Sequence, residues 1–265
     1  MNKPKNLVFI TGASNIIGEE FSKYYSYCSD ALVFTLWRTP IQHHTSSTKH
    51  VLVDLLQKEQ TMEKIISVLK PLKYELIKNV YLLHGAGKSK NELLGVTPIV
   101  DLDNDGMDDE MYAAQIDTFD NTYSCIHDFI KLQNKFDDIK FTIVGMWSLL
   151  DTCDSPIHKS MREINNIMRS KLQKMAQREP NHHTIMLSLS TVATSSEKQY
   201  RKFADQSYWL SWSEVVDKSI ETISHRKNVY EDIPIYKYHP LYTSYFKHET
   251  NDQRIARFKR EIGLI

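Results

Sequence analysis

Residues 7–18, LVFITGASNIIG, decide the fold class of this chain. The apolar stretch Leu7–Ile10 reads as a strand that runs into a turn at Gly12, and a helix-like stretch follows over Glu19–Tyr27. A turn between a strand and a helix directs free backbone N–H groups and the positive end of the helix dipole towards a phosphate. Gly12 permits the tight turn, and Gly18 permits close packing of the helix on the strand. The segment therefore predicts a phosphate-binding loop.

Strands and helices alternate along the chain beyond this loop. Such βαβ alternation predicts a parallel sheet with helices on both faces. We therefore expect the α/β class, with a Rossmann-type doubly wound parallel sheet in three αβα layers and a single domain over residues 1–265. Predicted strands cover 31–36, 50–53, 80–83, 141–144 and 184–189, and predicted helices cover 59–72, 107–132 and 156 to about 177. The aromatic-rich segment 230–265 is expected to pack as a C-terminal tail on the domain or on a partner subunit.

Charge and composition exclude several classes of partner. Lys and Arg together number 33 and equal the 33 Asp and Glu, which argues against nucleic acid as the main partner. No apolar run approaches the roughly 20 residues needed to span a bilayer, so we expect no membrane insertion. Cys28, Cys125 and Cys153 lie far apart without metal-ligand spacing, which predicts reduced thiols in a cytoplasmic protein.

The opening loop resembles the TGxxxGIG cofactor loop of the short-chain dehydrogenase/reductase family. Ile16 replaces the middle glycine and puts a side chain where the pyrophosphate normally approaches the backbone. The resemblance implies a nicotinamide dinucleotide cofactor and a set of cofactor-binding residues in the loop: Thr11, Gly12, Ser14, Asn15, Ile16, Ile17 and Gly18.

Two later turns extend this resemblance. The sequence HGAG, residues 84–87, follows the fourth predicted strand where the family has NNAG, a turn that supports the sheet beside the cofactor. Asp54 follows the third strand, where the family's aspartate hydrogen-bonds the adenine. The resemblance therefore adds Gly85, Ala86, Gly87 and Asp54 to the predicted cofactor site.

The choice of cofactor depends on Arg38. This residue follows the second strand, where the family often places an arginine against the 2′-phosphate of NADP. A carboxylate there would hold a ribose 2′-OH and repel the phosphate, and no Asp or Glu lies between Ala31 and Thr48. We therefore expect NADP(H) in preference to NAD(H). The alternative is a solvated arginine at a strand end, and Asn15 stands where NADP-dependent members often carry a second basic residue.

The catalytic positions depart from the family pattern. The family uses a Tyr-x-x-x-Lys pair on the helix after strand five, and the matching residues here are His158 and Arg162. Imidazole titrates near neutrality, so His158 is the candidate proton donor, and Arg162 is the candidate group that holds the nicotinamide ribose. Thr118 matches the family's asparagine, and the family's serine falls on Trp147 or Ser148. The alternative is that His158 is a helix-start histidine without chemistry.

Two other motifs are weak. Tyr74 and Lys78 form a literal Tyr-x-x-x-Lys, but they precede strand four and lie on the wrong side of the sheet order. Residues 101–106, DLDNDG, begin like an EF-hand loop, yet Tyr112 stands where calcium binding requires a bidentate glutamate. An acidic loop is the simpler interpretation, and we expect no metal site.

The segment after the sixth strand completes the predicted site. Residues 188–194, SLSTVAT, resemble the family's PG-x-x-x-T segment, which contacts the nicotinamide carboxamide, and Val192 and Thr194 are the matching residues. The expected substrate loop follows over 196–212. Its aromatic residues either stack on a substrate or pack in the core. They are Phe203, Tyr208, Trp209 and Trp212.

These observations leave two hypotheses for function. In the first, the protein is an oxidoreductase that acts on a small hydroxyl or carbonyl compound with NADP(H) or NAD(H). In the second, it binds the nucleotide without hydride transfer, as a sensor or an assembly partner. The family often pairs its two long helices between subunits, which implies a homodimer or a homotetramer.

Overall fold

The fold is given by a computed structural model, which describes residues 4–38, 47–86, 109–133, 136–149, 159–237, 250–263 and 265. The described strands are β1 (Asn6–Thr11), β2 (Ala31–Trp37), β3 (Thr48–Leu52), β4 (Asn79–His84), β5 (Lys140–Ser148), β6 (His182–Leu189) and β7 (Tyr230–Ile235). The described α-helices are α1 (Ile16–Ser26), α2 (Lys58–Leu69), α3 (Asp109–Lys131), α4 (Lys159–Arg178), α5 (Ser195–Tyr200), α6 (Trp212–Ser224) and α7 (Asn251–Glu261).

These strands form one parallel sheet of seven strands in the order β3-β2-β1-β4-β5-β6-β7. The order reverses at β1, which lies between β2 and β4. In open α/β sheets, ligands bind outside the carboxyl ends of the strands at such a switch point. Thr11, the last residue of β1, is paired with Leu36 on one side and His84 on the other. The glycine turn therefore opens at the switch point of the sheet.

The sheet is covered on both faces, as the three-layer prediction requires. Successive residues of a strand point to opposite faces, and parallel strands are buried on both. Leu7 and Phe9 accordingly join a core with residues of α2, α3 and α4, whereas Val8 and Ile10 join a second core with residues of α1 and α6. The predicted α/β, Rossmann-type doubly wound fold is confirmed.

The C-terminal region, expected to pack on the domain or on a partner subunit over 230–265, begins with a further strand. Residues Tyr230–Ile235 form β7, an edge strand parallel to β6, so the sheet extends into this segment. The polar sequence YEDIPI does not predict a strand. Among the described residues β7 pairs with β6 alone, and such an edge strand tolerates Glu231, Asp232 and Pro234. The aromatic residues between 238 and 249 lie outside the described residues.

The described part of the chain contains neither a membrane-spanning helix nor a cluster of metal-binding side chains. None of the helices there is both long enough and apolar enough to cross a membrane. No group of three or more His, Cys, Asp and Glu side chains that could hold a metal ion occurs among the same residues. The EF-hand-like segment 101–106 falls outside them.

Candidate functional site

Glycine is required at one position in the turn between β1 and α1 and at one position in the first turn of α1. Gly12 has a φ of +67°, and a Cβ there would lie 2.5 Å from the carbonyl oxygen of Gly85. A Cβ on Gly18 would lie 2.6 Å from the carbonyl oxygen of Gly12. Both contacts are with backbone, which cannot move aside as a side chain can. The two glycines therefore bring the loop, the start of α1 and the turn after β4 into close contact.

We expect Gly12→Ala to destabilise the fold. An L-residue in the left-handed region costs about 1–2 kcal/mol, and the contact with the Gly85 oxygen adds to that cost. Urea unfolding of the two proteins measures the difference. Ser14→Ala is the matched control, because Ser14 is exposed in the same turn and is not left-handed. A Gly12→Ala protein as stable as the wild type would contradict this account of the turn.

Helix α1 begins at Ile16 rather than at the predicted Glu19, because Asn15 caps it. The Asn15 Oδ1 accepts the backbone N–H of Gly18 at 2.8 Å, and Nδ2 donates to the Gly85 carbonyl oxygen at 3.4 Å. Such a cap satisfies one of the free N–H groups at a helix start. The Ile16 side chain is 36% exposed in the first turn, whereas Ile17 packs against the second core. The Ile16 side chain thus lies at the surface near the switch point of the sheet and is not part of the core.

Thr11 and His84 connect β1 with the turn after β4. The Thr11 Oγ1 accepts the N–H groups of Gly85 at 3.2 Å and Ala86 at 3.1 Å, and it lies 3.0 Å from the His84 Nδ1. Because the Thr11 oxygen accepts from these two N–H groups, its own hydroxyl hydrogen is available to His84 Nδ1. Burial lowers the pKa of His84 to about 3, so this ring is neutral at pH 7.

Aromatic rings enclose His84. The Trp147 ring stacks on it with centroids 5.7 Å apart, and Phe119 meets it edge-on at 5.2 Å. Trp147 also covers Gly145, where a Cβ would lie 1.7 Å from the indole ring. Sequence reasoning missed this cluster. The histidine in place of the first asparagine of NNAG was its only signal.

The adenine side of the predicted site lies after β2 and β3, beside the glycine turn. Arg38 is exposed directly after β2, next to the buried Trp37. The Asp54 Oδ1 accepts the backbone N–H of Leu56 at 3.2 Å, which orders the turn that leads to α2. The structure therefore places Arg38 and Asp54 at the same edge of the sheet as Gly12. Gly87 lies outside the described residues.

The predicted catalytic residues are only partly described. Ser148 is the last residue of β5, and Arg162 is half-buried in the first turn of α4. Thr118 is buried on α3, where its hydroxyl donates to the Gln115 carbonyl oxygen at 3.0 Å. His158 and the Ser148 side chain lie outside the described residues.

The alternative Tyr74 and Lys78 pair lies at the other edge of the sheet. The Tyr74 hydroxyl is buried and donates to the Leu69 carbonyl oxygen at 2.9 Å. Lys78 directly precedes β4, and its backbone N–H donates to the Lys5 carbonyl oxygen at 2.8 Å. These residues are therefore at the amino ends of the strands, away from the glycine turn.

The segment after β6 is held by backbone and cap hydrogen bonds. Val192 forms a parallel bridge with Leu210, and the Leu210 N–H donates to the Thr191 carbonyl oxygen at 2.8 Å. The Thr194 Oγ1 caps α5 by accepting the Glu197 N–H at 3.1 Å. Of the aromatic residues expected in the substrate loop, Tyr208 and Trp209 are buried, as core packing predicts, whereas Phe203 is 65% exposed.

Solved structures of short-chain dehydrogenases/reductases have the same fold. 4-Hydroxyisoleucine dehydrogenase complexed with NADH is 19% identical, with a TM-score of 0.59 over 88% of this chain and 96% of that chain. An alcohol dehydrogenase from the archaeon Thermococcus sibiricus, complexed with 5-hydroxy-NADP, is 13% identical, with a TM-score of 0.63 over 89% and 98%. A 3-oxoacyl-(acyl-carrier protein) reductase from Brucella melitensis in complex with NAD is 13% identical, with a TM-score of 0.63 over 88% and 96%.

The likeness is one of fold. No protein-family model and no curated protein sequence matches the chain.

Proposed function

We propose that this chain, which has the fold of the short-chain dehydrogenases/reductases, binds a nicotinamide dinucleotide and acts as an oxidoreductase on a small hydroxyl or carbonyl compound. The observation that carries the proposal is the close approach of backbone at Gly12, in the turn after β1, and at Gly18, in the first turn of α1, where a Cβ at either position would meet backbone within 2.6 Å. A turn of this kind lets a pyrophosphate approach backbone N–H groups at a helix start.

In this proposal the parts of such a cofactor lie along the carboxyl ends of the strands. The turn from Gly12 to Gly18 would hold the pyrophosphate, and Asp54 would accept a hydrogen bond from the adenine. Val192 and Thr194 would meet the carboxamide at the other end. A bound nicotinamide would supply or accept the hydride. Complexes of similar folds with NADH, 5-hydroxy-NADP and NAD support the cofactor class.

Arg38 is the residue that we propose to select NADP(H). A guanidinium can donate two hydrogen bonds to a phosphate, and the group is exposed directly after β2. We expect NADPH to bind more tightly than NADH, and Arg38→Ala to weaken NADPH by about tenfold while NADH is little affected. Fluorescence titration with both cofactors measures these affinities.

Lys73→Ala is the matched control for this titration. It removes one positive charge from an exposed position before β4, at the opposite edge of the sheet. Equal affinity of the wild type for the two cofactors would contradict the preference for NADP(H). No binding of either cofactor would contradict the proposed function itself, and restored binding in Ile16→Gly would then identify the Ile16 side chain as the obstacle.

The catalytic assignment is part of the proposal. His158 would exchange a proton with the substrate oxygen, and Arg162 would hold the nicotinamide ribose. Ser148 and Thr118 stand at the family's remaining catalytic positions. The Thr118 hydroxyl donates to the Gln115 carbonyl oxygen within α3, which leaves its oxygen lone pairs to accept a hydrogen bond. Cofactor binding without turnover on any small alcohol or carbonyl compound would favour a nucleotide-binding sensor instead.

Assembly and location complete the proposal. We expect a homodimer or a homotetramer formed through α3 and α4. Within one chain, an ion pair between Lys171 and Asp120 holds these two helices together. Ile167 on α4 is 43% exposed, so an apolar side chain is available for contact with a second subunit. Cys28 and Cys125 are free thiols, which fits a reducing, cytoplasmic location.

A further inference from the structure

Arg201 is a buried arginine directly after α5, and it contacts the C-terminal helix α7. Only 8% of the residue is exposed. Its Nε and Nη2 donate to the Oε2 of Glu261 at 3.0 and 2.7 Å. Glu261 is the last residue of α7 and is 5% exposed. One guanidinium therefore attaches the C-terminal helix to the segment that follows β6.

The same guanidinium also reaches that segment directly. Nη1 donates to the Thr191 Oγ1 at 3.1 Å and to the Glu197 Oε1 at 3.0 Å, and Nη2 donates to the Tyr208 hydroxyl at 3.3 Å. The fork of an arginine holds several acceptors in a fixed geometry, which a lysine cannot reproduce. Arg201 thus joins Thr191, α5 and the turn before Leu210.

The charges in this cluster are balanced. Arg257 donates to the Oε1 of Glu261 at 3.0 Å, so both carboxylate oxygens are bonded. Burial acts to lower the pKa of Arg201, but the adjacent Glu261 carboxylate raises it, and the net change is a rise. Buried charges are tolerated when they are paired and hydrogen-bonded. Removal of one partner leaves the other charge buried without compensation, which destabilises the fold. The cluster is therefore sensitive to a single substitution.

The cluster lies next to the proposed nicotinamide contacts. Thr191 directly precedes Val192, and its carbonyl oxygen accepts the Leu210 N–H, beside the bridge that Val192 makes. Arg201 is therefore connected to Val192 through Thr191. The proposed adenine contacts, by contrast, follow β2 and β3 at the far side of the sheet order.

We propose that Arg201 is a positioning residue that uses Glu261 of the C-terminal helix and Thr191 to hold residues 191–194 in the conformation that meets the nicotinamide. The inference rests on the proposed function, because it assumes that this segment contacts the carboxamide. It assigns to α7 a role in binding the nicotinamide half of the cofactor and none in binding the adenine half.

The test compares two ligands that differ only in the nicotinamide. We would titrate the full chain with NADPH and with 2′-phospho-ADP-ribose, and use NADH and ADP-ribose if the wild type prefers them. Arg201→Met and Glu261→Gln are expected to weaken NADPH by about threefold to thirtyfold, the range of substitutions that act through a neighbour. Both variants should bind 2′-phospho-ADP-ribose within about twofold of the wild type, because its contacts lie elsewhere.

Two further variants separate positioning from loss of fold. Thr191→Val removes only the hydroxyl that Arg201 contacts, so it should show the same selective loss with α7 still attached. Arg260→Met is the matched control, because Arg260 is exposed on α7 one residue before Glu261 and should leave both affinities unchanged. If the Arg201→Met protein does not fold, the affinities of Thr191→Val and Glu261→Gln for the two ligands still test the inference.

The outcomes are distinguishable. Selective weakening of NADPH supports the inference. Equal weakening of both ligands, or no change in either, overturns it while the proposed function stands. A wild-type protein that binds neither ligand overturns the proposed function, and the inference with it.

Discussion

Acidification from pH 7 to pH 5 is expected to lower the free energy of unfolding by about 2–4 kcal/mol through two buried histidines. Burial lowers the pKa of His84 and of His182 to about 3 each. In the unfolded chain both titrate near the ordinary value of 6.5. Below that value the unfolded state binds protons that the folded state does not, so stability falls as the pH falls from about 6.5 towards 3.

The surroundings of His182 explain why its ring stays neutral in the folded state. The Tyr123 hydroxyl lies 3.0 Å from its Nε2, and the Asn181 Oδ1 lies 2.9 Å from its Nδ1. A neutral ring matches these partners with one acceptor and one donor nitrogen. Phe141 stacks on the ring with centroids 4.7 Å apart, and the ring of His127 is 5.4 Å away. A charge there would be buried next to a second histidine.

Urea unfolding at pH 5, 6 and 7 measures this loss of stability. His182→Gln removes the titrating group and should make the pH dependence shallower by about half of the histidine contribution. His225→Gln is the control, because His225 is exposed at the end of α6 and should leave the dependence unchanged. A His182→Gln protein with the full wild-type pH dependence would contradict this origin of the acid sensitivity.

Replacement of His158 by alanine is expected to lower turnover by about 100- to 10,000-fold, the usual contribution of one acid/base group. Affinity for the cofactor should be nearly unchanged, because the proposed role of His158 is proton exchange with the substrate oxygen. Arg162→Ala should instead weaken cofactor binding. A guanidinium can donate hydrogen bonds to the ribose hydroxyl groups, but it stays protonated and cannot act as an acid. Single-turnover assays and fluorescence titration measure the two effects separately.

Turnover that survives in His158→Ala would contradict the assignment of the proton donor. Tyr208 is then a poor replacement, although it lies in the expected substrate loop. It is 7% exposed, and its hydroxyl accepts a hydrogen bond from Arg201. Burial also raises its pKa above the ordinary value of 10, so it would release a proton reluctantly at neutral pH. His225→Ala again serves as the exposed control and should retain full turnover.

Local sequence determined the fold class and the position of the glycine turn. The run Leu7–Ile10 is apolar at every residue because a central parallel strand is buried on both faces, and that pattern is visible without a structure. The requirement for Gly12 and Gly18 was also visible in the local sequence, because a left-handed residue or a close backbone contact selects glycine. The alternation of strand and helix then predicted the parallel sheet.

Tertiary structure alone decided the parts of the site that join distant residues. Thr11 and His84 are 73 residues apart, and Arg201 and Glu261 are 60 apart, so no local pattern relates the members of either pair. The edge strand Tyr230–Ile235 was missed because it is stabilised by pairing with β6 and carries the polar residues of a half-exposed strand. Hydrophobic period and turn chemistry are properties of neighbouring residues, whereas strand pairing and buried polar contacts depend on which segments the completed sheet brings together.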